Sequence, residues 1–220
     1  MSQNIMDNCE KREKADKCIP IIGGWYTSDY APLYDRVMSD ISSLNFLTDF
    51  IQVNDGAVSK YPWEKITCLK PFYAKQILNR INGTLLLVDV DARFRGTREE
   101  IIDVCNINAD IALRLSANVS RSGRIKMHPW SGTMVLRPTD NTMRLLDAWD
   151  DAASGLGKHL TDEVALSLAL TRVPGLTVSM LHSRACGGAG EVNPIILHPH
   201  RTGKRMGKLQ KFINSWNPFN

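Results

Sequence analysis

Hydrophobic positions follow two patterns along the chain, short apolar runs and longer stretches with an apolar residue at every third or fourth position. The first half of the chain alternates between them. "CIPIIGGWYT" predicts a buried strand that breaks at Gly23 and Gly24, and "DYAPLYDRVMSDISSL" predicts a helix after it. "TDFIQV" predicts a second strand and "TLLLV" a third, separated by the helix "TCLKPFYAKQILNRI" with an apolar face of Leu69, Phe72, Tyr73 and Ile77.

The second half continues with a short helix near "REEIIDVC", a strand near "ADIALRLS", a loop "ANVSRSGRIKMHPW" and a strand "GTMVLR". Two helices follow. "TDNTMRLLDAWDDAA" begins at a Thr139–Asp140 cap, and "TDEVALSLAL" begins at Thr161. The first of them has an apolar stripe of Met143, Leu146, Trp149 and Ala153. "LTVSML" and "NPIILHP" predict closing strands, and "CGGAGE" between them predicts a glycine-rich loop.

Alternating strands and helices predict an α/β fold whose mostly parallel central sheet is flanked by helices on both faces. The continuous apolar run "TLLLV" is typical of a central strand in such a sheet. We expect one domain over residues 19–205, preceded by a polar leader at 1–18 and followed by a basic tail at 206–220.

The composition is that of a globular protein with a sizeable core, since 43% of the 220 residues are hydrophobic and 23% are charged. The five cysteines are an odd number without C-x-x-C spacing, which predicts neither a disulfide framework nor a structural zinc site. The N-terminus is polar and no apolar run reaches the length of a membrane span. We therefore expect a soluble, cytoplasmic protein in a reducing compartment.

Positive charge is concentrated near the C-terminus, although the net charge is only +4. The stretch "HPHRTGKRMGKLQKF" contains several lysines and arginines and no acidic residue. Such a segment can contact phosphate on a nucleotide, a nucleic acid or a membrane surface. A loosely ordered, solvated terminus has the same composition, and the sequence leaves both interpretations open.

Two carboxylates directly follow the third strand. Asp89 and Asp91 are separated by one residue, so they point to the same side if the strand persists that far. Ligands of open parallel sheets bind just beyond the carboxyl ends of the strands, and paired carboxylates there suit Mg²⁺ or Mn²⁺ together with substrate phosphates. Aspartate also ends strands simply because it favours turns, so the pair alone does not decide between a metal site and a turn.

Several stretches, in their order along the chain, resemble the GT-A family of nucleotide-diphospho-sugar glycosyltransferases. They lie within residues 19–205 and are "GGWYTSDYAPLYDRV", "LKPFYAKQIL", "LLLVDVDARF", "WSGTMVLRPTDNTMRLLDAW", "TDEVALSLAL" and "IILHPHRTGK". The resemblance implies a single GT-A-like, Rossmann-like domain. It implies metal-dependent transfer of a sugar from a UDP-sugar-type donor to an acceptor hydroxyl.

The resemblance also implies roles for residues that bind the donor. Asp91 would ligate Mn²⁺ or Mg²⁺, Asp89 would contact the ribose or the metal, and His198 would be a further ligand, with His200 as an open alternative. The base and ribose would be held by the residues that end the first strand, which are Tyr26, Thr27 and Tyr30. Positive charge for the departing diphosphate would come from Lys204, with Lys70 and Arg201 as further candidates.

Further residues match the family's sugar and acceptor positions. Trp130, Ser131 and Gly132 would form the small loop under the donor sugar, although a turn that opens a strand fits them equally. Asp162 and Glu163 would be the acids near the reacting sugar or acceptor, although acids in a first turn also stabilise a helix through its dipole. Three other histidines are expected in loops with surface or packing roles, namely His128, His159 and His182.

Two rival functions use the same features. Haloacid-dehalogenase-like phosphotransferases also have an apolar strand ending in D-x-D, but that strand normally opens the domain and here it is the third. A non-catalytic nucleotide- or nucleic-acid-binding module would use the basic C-terminal stretch, with an affinity that falls steeply with salt. Under the glycosyltransferase hypothesis the acceptor stays open among a glycan, a protein and a hydroxymethylated base in DNA. The donor sugar, the stereochemical outcome and the oligomeric state stay open as well.

Overall fold

The structure is a computed structural model that describes residues 19–54, 66–119, 125–155, 161–188 and 191–199. The predicted leader and basic tail lie outside these residues, as do His159, His200, Arg201 and Lys204. The strands are β1 Ile21–Tyr26, β2 Thr48–Gln52, β3 Leu85–Val88, β4 Arg93–Phe94, β5 Ile111–Val119, β6 Ile125–Leu136, β7 Val178–Met180, β8 Cys186–Gly188 and β9 Ile196–His198. The helices are α1 Ala31–Ser42, α2 Lys70–Arg80, α3 Arg98–Cys105, α4 Asp140–Gly155 and α5 Asp162–Leu170.

The central sheet has six strands in the order β2-β1-β3-β6-β5-β7. Strand β1 runs parallel to β2 and β3, and β5 runs parallel to β7, whereas β6 is antiparallel to both of its neighbours. Only β6 therefore runs against the others, and the predicted α/β fold with a mostly parallel sheet is confirmed. A small second sheet has the order β4-β9-β8.

Helices cover both faces of the central sheet. On one face α2, α4 and α5 pack against Leu85 and Leu87 of β3, and on the other α1 and α3 pack with Leu86 and Val88. All four β3 side chains are buried because successive residues of a strand point to opposite faces and both faces are covered. Burial on both faces explains why the sequence of β3 is an uninterrupted apolar run.

Strand β1 runs through Gly23 and Gly24, so the predicted break at these glycines is wrong. A Cβ atom on Gly23 would lie 2.6 Å from the carbonyl oxygen of Asp49, and one on Gly24 would overlap the carbonyl oxygen of Val88. The glycines lie between two parallel neighbours whose backbones approach closely. Strand β1 can occupy this place in the sheet because these two residues have no side chain.

Two predicted loops are largely strand. Residues 117–119 and 125–130, predicted as loop, belong to the antiparallel pair β5 and β6. Residues Cys186–Gly188 of the predicted glycine-rich loop form β8, which pairs in parallel with β9. Residues Cys186–Gly188 are too few and too rich in glycine to show a strand period, and both segments are held by backbone hydrogen bonds to the neighbouring strand.

Two predicted helix faces also need correction. Phe72 is 45% exposed and packs edge-on against Tyr73, while the buried residues of α2 are Lys70, Pro71, Ala74, Ile77 and Leu78. In α4, Met143 is only partly buried, while the predicted Leu146, Trp149 and Ala153 are in the core. Thr139 caps α4 by accepting a hydrogen bond from the Thr142 amide at 3.2 Å. The Thr161 side chain makes no such bond at α5.

The described cysteines Cys68, Cys105 and Cys186 are buried in the hydrophobic core. Among the described helices, none combines the length and the apolar character needed to cross a membrane.

Candidate active site

Asp89 and Asp91 lie in a turn at the carboxyl end of β3. The strand ends at Val88, so the two carboxylates do not continue it. The Asp89 amide donates to the carbonyl oxygen of Gly132 at 2.9 Å, and the Arg36 guanidinium donates to the carbonyl oxygen of Asp91 at 3.1 Å. Backbone contacts to β6 and α1 therefore position this turn.

The two aspartates and His198 form a group whose candidate ligand atoms all lie within 4.8 Å of one another. His198 is in β9 and is 3% exposed. Its Nδ1 lies 3.5 Å from Asp91 Oδ1, and its Nε2 lies 2.6 Å from the hydroxyl oxygen of Thr133. When Nε2 carries the proton and donates it to Thr133, Nδ1 presents its lone pair toward the aspartates.

This donor set fits a divalent cation. Two carboxylate oxygens suit Mg²⁺ and Mn²⁺, and a neutral imidazole nitrogen is a ligand that Mn²⁺ accepts. His198 is the predicted ligand that the structure brings to the aspartates, whereas the alternative, His200, lies outside the described residues.

Gly132 and Trp130 border the group. A Cβ atom on Gly132 would lie 3.2 Å from Asp89 Oδ2 and 3.3 Å from His198 Cε1, so a side chain there would crowd both groups. The Trp130 ring meets the His198 ring edge-on, with 4.9 Å between centroids. The guanidinium carbon of Arg114 lies over the Trp130 ring, 5.2 Å from its centroid. Glycine at 132 thus lets the β6 backbone lie close to Asp89 and His198.

Lys70 connects the aspartates to the start of α5. The residue is 4% exposed, and its Nζ lies 2.7 Å from Asp89 Oδ1 and 3.1 Å from Asp162 Oδ2. It also donates to the hydroxyl and carbonyl oxygens of Ser131, and the Ser131 hydroxyl donates to Asp162 Oδ2 at 2.6 Å. Asp162 is thus part of a buried ion-pair network, a role that goes beyond favouring a helix terminus.

Burial alone would lower the pKa of Lys70, but Asp89 and Asp162 outweigh it and raise that pKa. Burial also raises the pKa of Asp89, and the Lys70 ammonium opposes this effect. The network therefore keeps a permanent positive charge beside the candidate metal ligands.

Glu163 lies on the more open side of the network. Burial, followed by the charge of Asp162, raises the pKa of its carboxyl group to about 7. His128 Nε2 is 3.9 Å from Glu163 Oε2, and each side chain is 29% exposed. The predicted loop position of His128 is wrong, because the residue belongs to β6.

The three residues predicted for the base and ribose lie at the carboxyl end of β1, whose last residue is Tyr26. Tyr26 stacks on Tyr34 with 4.3 Å between ring centroids, and Thr27 is buried with its hydroxyl bonded to Asp29. Burial, followed by the charges of Asp29, Asp91 and Asp89, raises the pKa of Tyr30. The nucleotide-binding roles of all three residues stay predictions.

Sequence reasoning missed Thr133 and Arg36, which contact His198 and the Asp91 backbone. Thr133 had a detectable signal. Ser131 and Thr133 are hydroxyl residues beside a fully buried apolar run, and buried polar groups need partners. Arg36 lies on α1 at a position where an arginine is ordinary, so the sequence contained no signal for it.

No protein-family model and no curated protein sequence matches the chain. Two solved structures are similar to it in fold. A glycosyltransferase involved in the glycosylation of the major capsid of PBCV-1 superposes with a TM-score of 0.64 at 8% identity, covering 90% of this chain and 99% of the other. The glycosyltransferase GlyE of Streptococcus pneumoniae TIGR4 superposes with a TM-score of 0.56 at 12% identity, covering 91% of this chain and 57% of GlyE.

This chain therefore corresponds to little more than half the length of GlyE. At these identities the similarity shows the fold, which is that of the two glycosyltransferases, and the resemblance found in the sequence is confirmed at that level.

Proposed function

We propose that the protein is a metal-dependent glycosyltransferase that moves a sugar from a UDP-sugar-type donor to an acceptor hydroxyl. The observation that carries this proposal is the convergence of Asp89, Asp91 and His198 at the carboxyl end of β3, with Lys70 beside them. Carboxylates and an imidazole at this edge of an open sheet suit a cation that binds a diphosphate. The fold shared with known glycosyltransferases supports the same conclusion.

In this proposal Asp91, Asp89 and His198 hold Mn²⁺ or Mg²⁺. A cation there neutralises charge on the donor diphosphate and on the departing nucleoside diphosphate. Lys70 adds positive charge next to Asp89, and Lys204, outside the described residues, is proposed to reach the diphosphate. Cations near developing negative charge lower the barrier because they stabilise the transition state more than the bound donor.

The other predicted residues receive donor-binding roles. Tyr26, Thr27 and Tyr30 are proposed to hold the base and ribose at the end of β1. Trp130, Ser131 and Gly132 are proposed to lie under the donor sugar, where glycine at 132 lets the backbone lie close to Asp89. Asp162, fixed by Ser131 and Lys70, can accept hydrogen bonds from sugar hydroxyls.

Glu163 is the proposed proton acceptor. A group whose pKa lies near the working pH is suited to proton transfer, and the pKa of Glu163 is about 7. Its neighbour Asp162 is tied to Lys70 and Ser131, which leaves Glu163 as the acid on the open side.

Donor binding tests the function directly. We expect UDP-sugars to raise the thermal midpoint only when Mn²⁺ or Mg²⁺ is present, by the equivalent of about 2.7 kcal/mol at a hundredfold excess over Kd. Asp91→Asn should abolish this cation-dependent shift, because it removes one ligand charge. The matched control is Asp147→Asn, since Asp147 is an exposed acid paired with Lys75 on the protein surface. The absence of cation-dependent binding and hydrolysis for every nucleotide sugar tested would refute the proposal.

The acceptor is proposed only as a hydroxyl on a glycan, a protein or a hydroxymethylated base in DNA. The basic C-terminal stretch is compatible with a phosphate-bearing acceptor. A pure binding module would retain nucleic-acid affinity after Asp89→Asn and Asp91→Asn, whereas a transferase loses turnover, so these variants separate the two functions.

A further inference from the structure

His128 and Glu163 face each other on the outer side of the Lys70 network. Both side chains are 29% exposed, whereas the Asp162 and Lys70 side chains are 11% and 5% exposed. An acceptor arrives from solvent, so it reaches His128 and Glu163 before it reaches the buried charges. Like the hydrogen-bonded Ser131 and Asp162, this pair spans β6 and the start of α5.

The gap between the two side chains suits an inserted hydroxyl group. The 3.9 Å between Nε2 and Oε2 is too long for a direct hydrogen bond. An oxygen about 2.8 Å from both atoms would subtend an angle of about 90° between them, which is within the range that hydrogen bonds at one oxygen allow. Such a hydroxyl can donate to the Glu163 carboxylate while it accepts from the Nε2–H of His128.

The face of β6 that carries His128 also borders the metal-ligand candidates. His128 and Trp130 are two residues apart in the regular part of β6, so they point to the same side. The Trp130 ring contacts the His198 ring edge-on. On the other flank, Glu163 directly follows Asp162, which is bonded to Lys70 and Ser131. His128 and Glu163 thus lie between the metal-ligand candidates and the Lys70 network.

We propose that His128 and Glu163 form the acceptor-hydroxyl subsite, in which Glu163 accepts the proton and His128 orients the oxygen. This inference rests on the proposed glycosyltransferase function. In the step, the acceptor O–H bond breaks and its proton passes to the Glu163 carboxylate. The oxygen bonds to the anomeric carbon of the donor sugar, and the bond from that carbon to the diphosphate oxygen breaks with its electron pair leaving on the diphosphate.

The charges around Glu163 agree with this role. Burial raises its pKa most, Asp162 on the same helix and Asp89 after β3 raise it further, Lys70 of α2 lowers it, and His128 of β6 faces it. The carboxyl group is therefore mostly ionised only above neutral pH. It can accept a proton from the hydroxyl and return it to water after turnover.

The test compares donor binding with turnover in four variants. The probes are the nucleotide sugar that gives the largest Mn²⁺-dependent thermal shift, with water and methyl glucoside as hydroxyl acceptors. The variants are Glu163→Gln, His128→Leu, His128→Gln and the control His182→Gln. His182 is an exposed histidine outside the site.

We expect donor affinity to stay within about twofold of the wild type in all four variants. Glu163→Gln should lower turnover by about 10²- to 10⁴-fold and remove the rise in rate through neutral pH. His128→Leu should lower turnover by about tenfold to a hundredfold, with a raised KM for methyl glucoside. His128→Gln should recover part of the loss, because its amide N–H can still donate to the hydroxyl.

Three results would overturn the inference. Unchanged turnover and pH profile in Glu163→Gln and His128→Leu, with normal donor binding, would remove the subsite and leave the proposed function intact. Parallel loss of donor binding and turnover would show that the pair serves the donor. Donor binding by the wild type without turnover of either acceptor would also exclude the subsite, since water has access to both side chains. Failure of the wild type to bind any donor would instead refute the proposed function itself.

Discussion

Lys70 balances the charges of the site at the scale of a single residue. Its ammonium group lies between the carboxylates of Asp89 and Asp162 and also bonds to Ser131. Buried charges are tolerated when they are paired and hydrogen-bonded, and removing one partner leaves the others uncompensated. The same side chain thus supports the fold and places positive charge beside the candidate metal ligands.

Replacing Lys70 with methionine should cost about 3 to 5 kcal/mol of unfolding free energy, because two carboxylates then lose their buried counter-ion. Urea unfolding at neutral pH measures this change. Lys75→Met is the matched control, since Lys75 pairs with Asp147 in solvent, and it should cost less than about 1 kcal/mol. Equal effects of the two substitutions would contradict the role assigned to Lys70.

Thr133 is predicted to act on metal affinity through His198. Thr133→Val removes the hydroxyl that is hydrogen-bonded to His198 Nε2 and orients the ring, so Mn²⁺ binding should weaken by about tenfold to a hundredfold. Thr133→Ser should retain most of the affinity because it keeps the hydroxyl. Calorimetric titration with Mn²⁺, without any donor, measures the effect. A serine variant as weak as the valine variant would point to packing as the cause.

At the scale of elements, an irregularity in β6 supplies three contacts to the site. The β5–β6 register shifts so that Leu113 pairs with Met134 while Arg114 pairs with Trp130. The intervening β6 residues turn toward the site instead, and bulges commonly re-aim side chains in this way. The Ser131 hydroxyl accepts a hydrogen bond from Lys70, and the Gly132 carbonyl accepts one from the Asp89 amide. The Thr133 hydroxyl is hydrogen-bonded to His198.

Asp110 joins three elements, because at the start of β5 it accepts hydrogen bonds from Thr139 and Asn141 at α4 and from Thr177 before β7. Burial raises the pKa of Asp110, but these bonds outweigh it and lower the pKa to about 2. A carboxyl group with a lowered pKa in the folded state adds stability above its unfolded pKa of about 3.9, and this stability is lost as the pH falls toward 2.

We therefore expect Asp110→Asn to lower the unfolding free energy at neutral pH by about 1 to 2 kcal/mol and to flatten its decline between pH about 4 and 2. Chemical denaturation over this pH range measures both effects. Asp151→Asn, at an exposed residue of α4, is the control and should leave the decline unchanged. An unchanged acid decline in Asp110→Asn would contradict this account.

At the scale of the molecule, the small sheet completes the site. Strand β4 follows the Asp89–Asp91 turn almost directly, and it pairs antiparallel with β9, which ends at His198. The Arg93–Leu197 pair thus fixes a late segment of the chain next to an early one. Meanwhile α2 and α5, packed with α4 on one face of the central sheet, bring Lys70 and Asp162 together. The candidate site therefore depends both on the pairing of β4 with β9 and on the packing of α2 and α5.

Much of the fold could be predicted because strand and helix periods are local properties of the sequence. The run "TLLLV", the helix "REEIIDVC" and the D-x-D pair were all found where the structure has them. The continuation of β1 through Gly23–Gly24 and the strand structure at His128 and Cys186 were not predicted, because hydrogen bonds to neighbouring strands hold these residues in place.

The sequence by itself determined the order of the elements and the residue types available for binding a cation, because both depend on near neighbours in the chain. Only the tertiary structure decided that Lys70 bridges Asp89 and Asp162, that Thr133 holds His198, and that His128 faces Glu163. These contacts join residues far apart in the chain. The packing of helices on the sheet and the pairing of strands set their distances, and no local pattern records either.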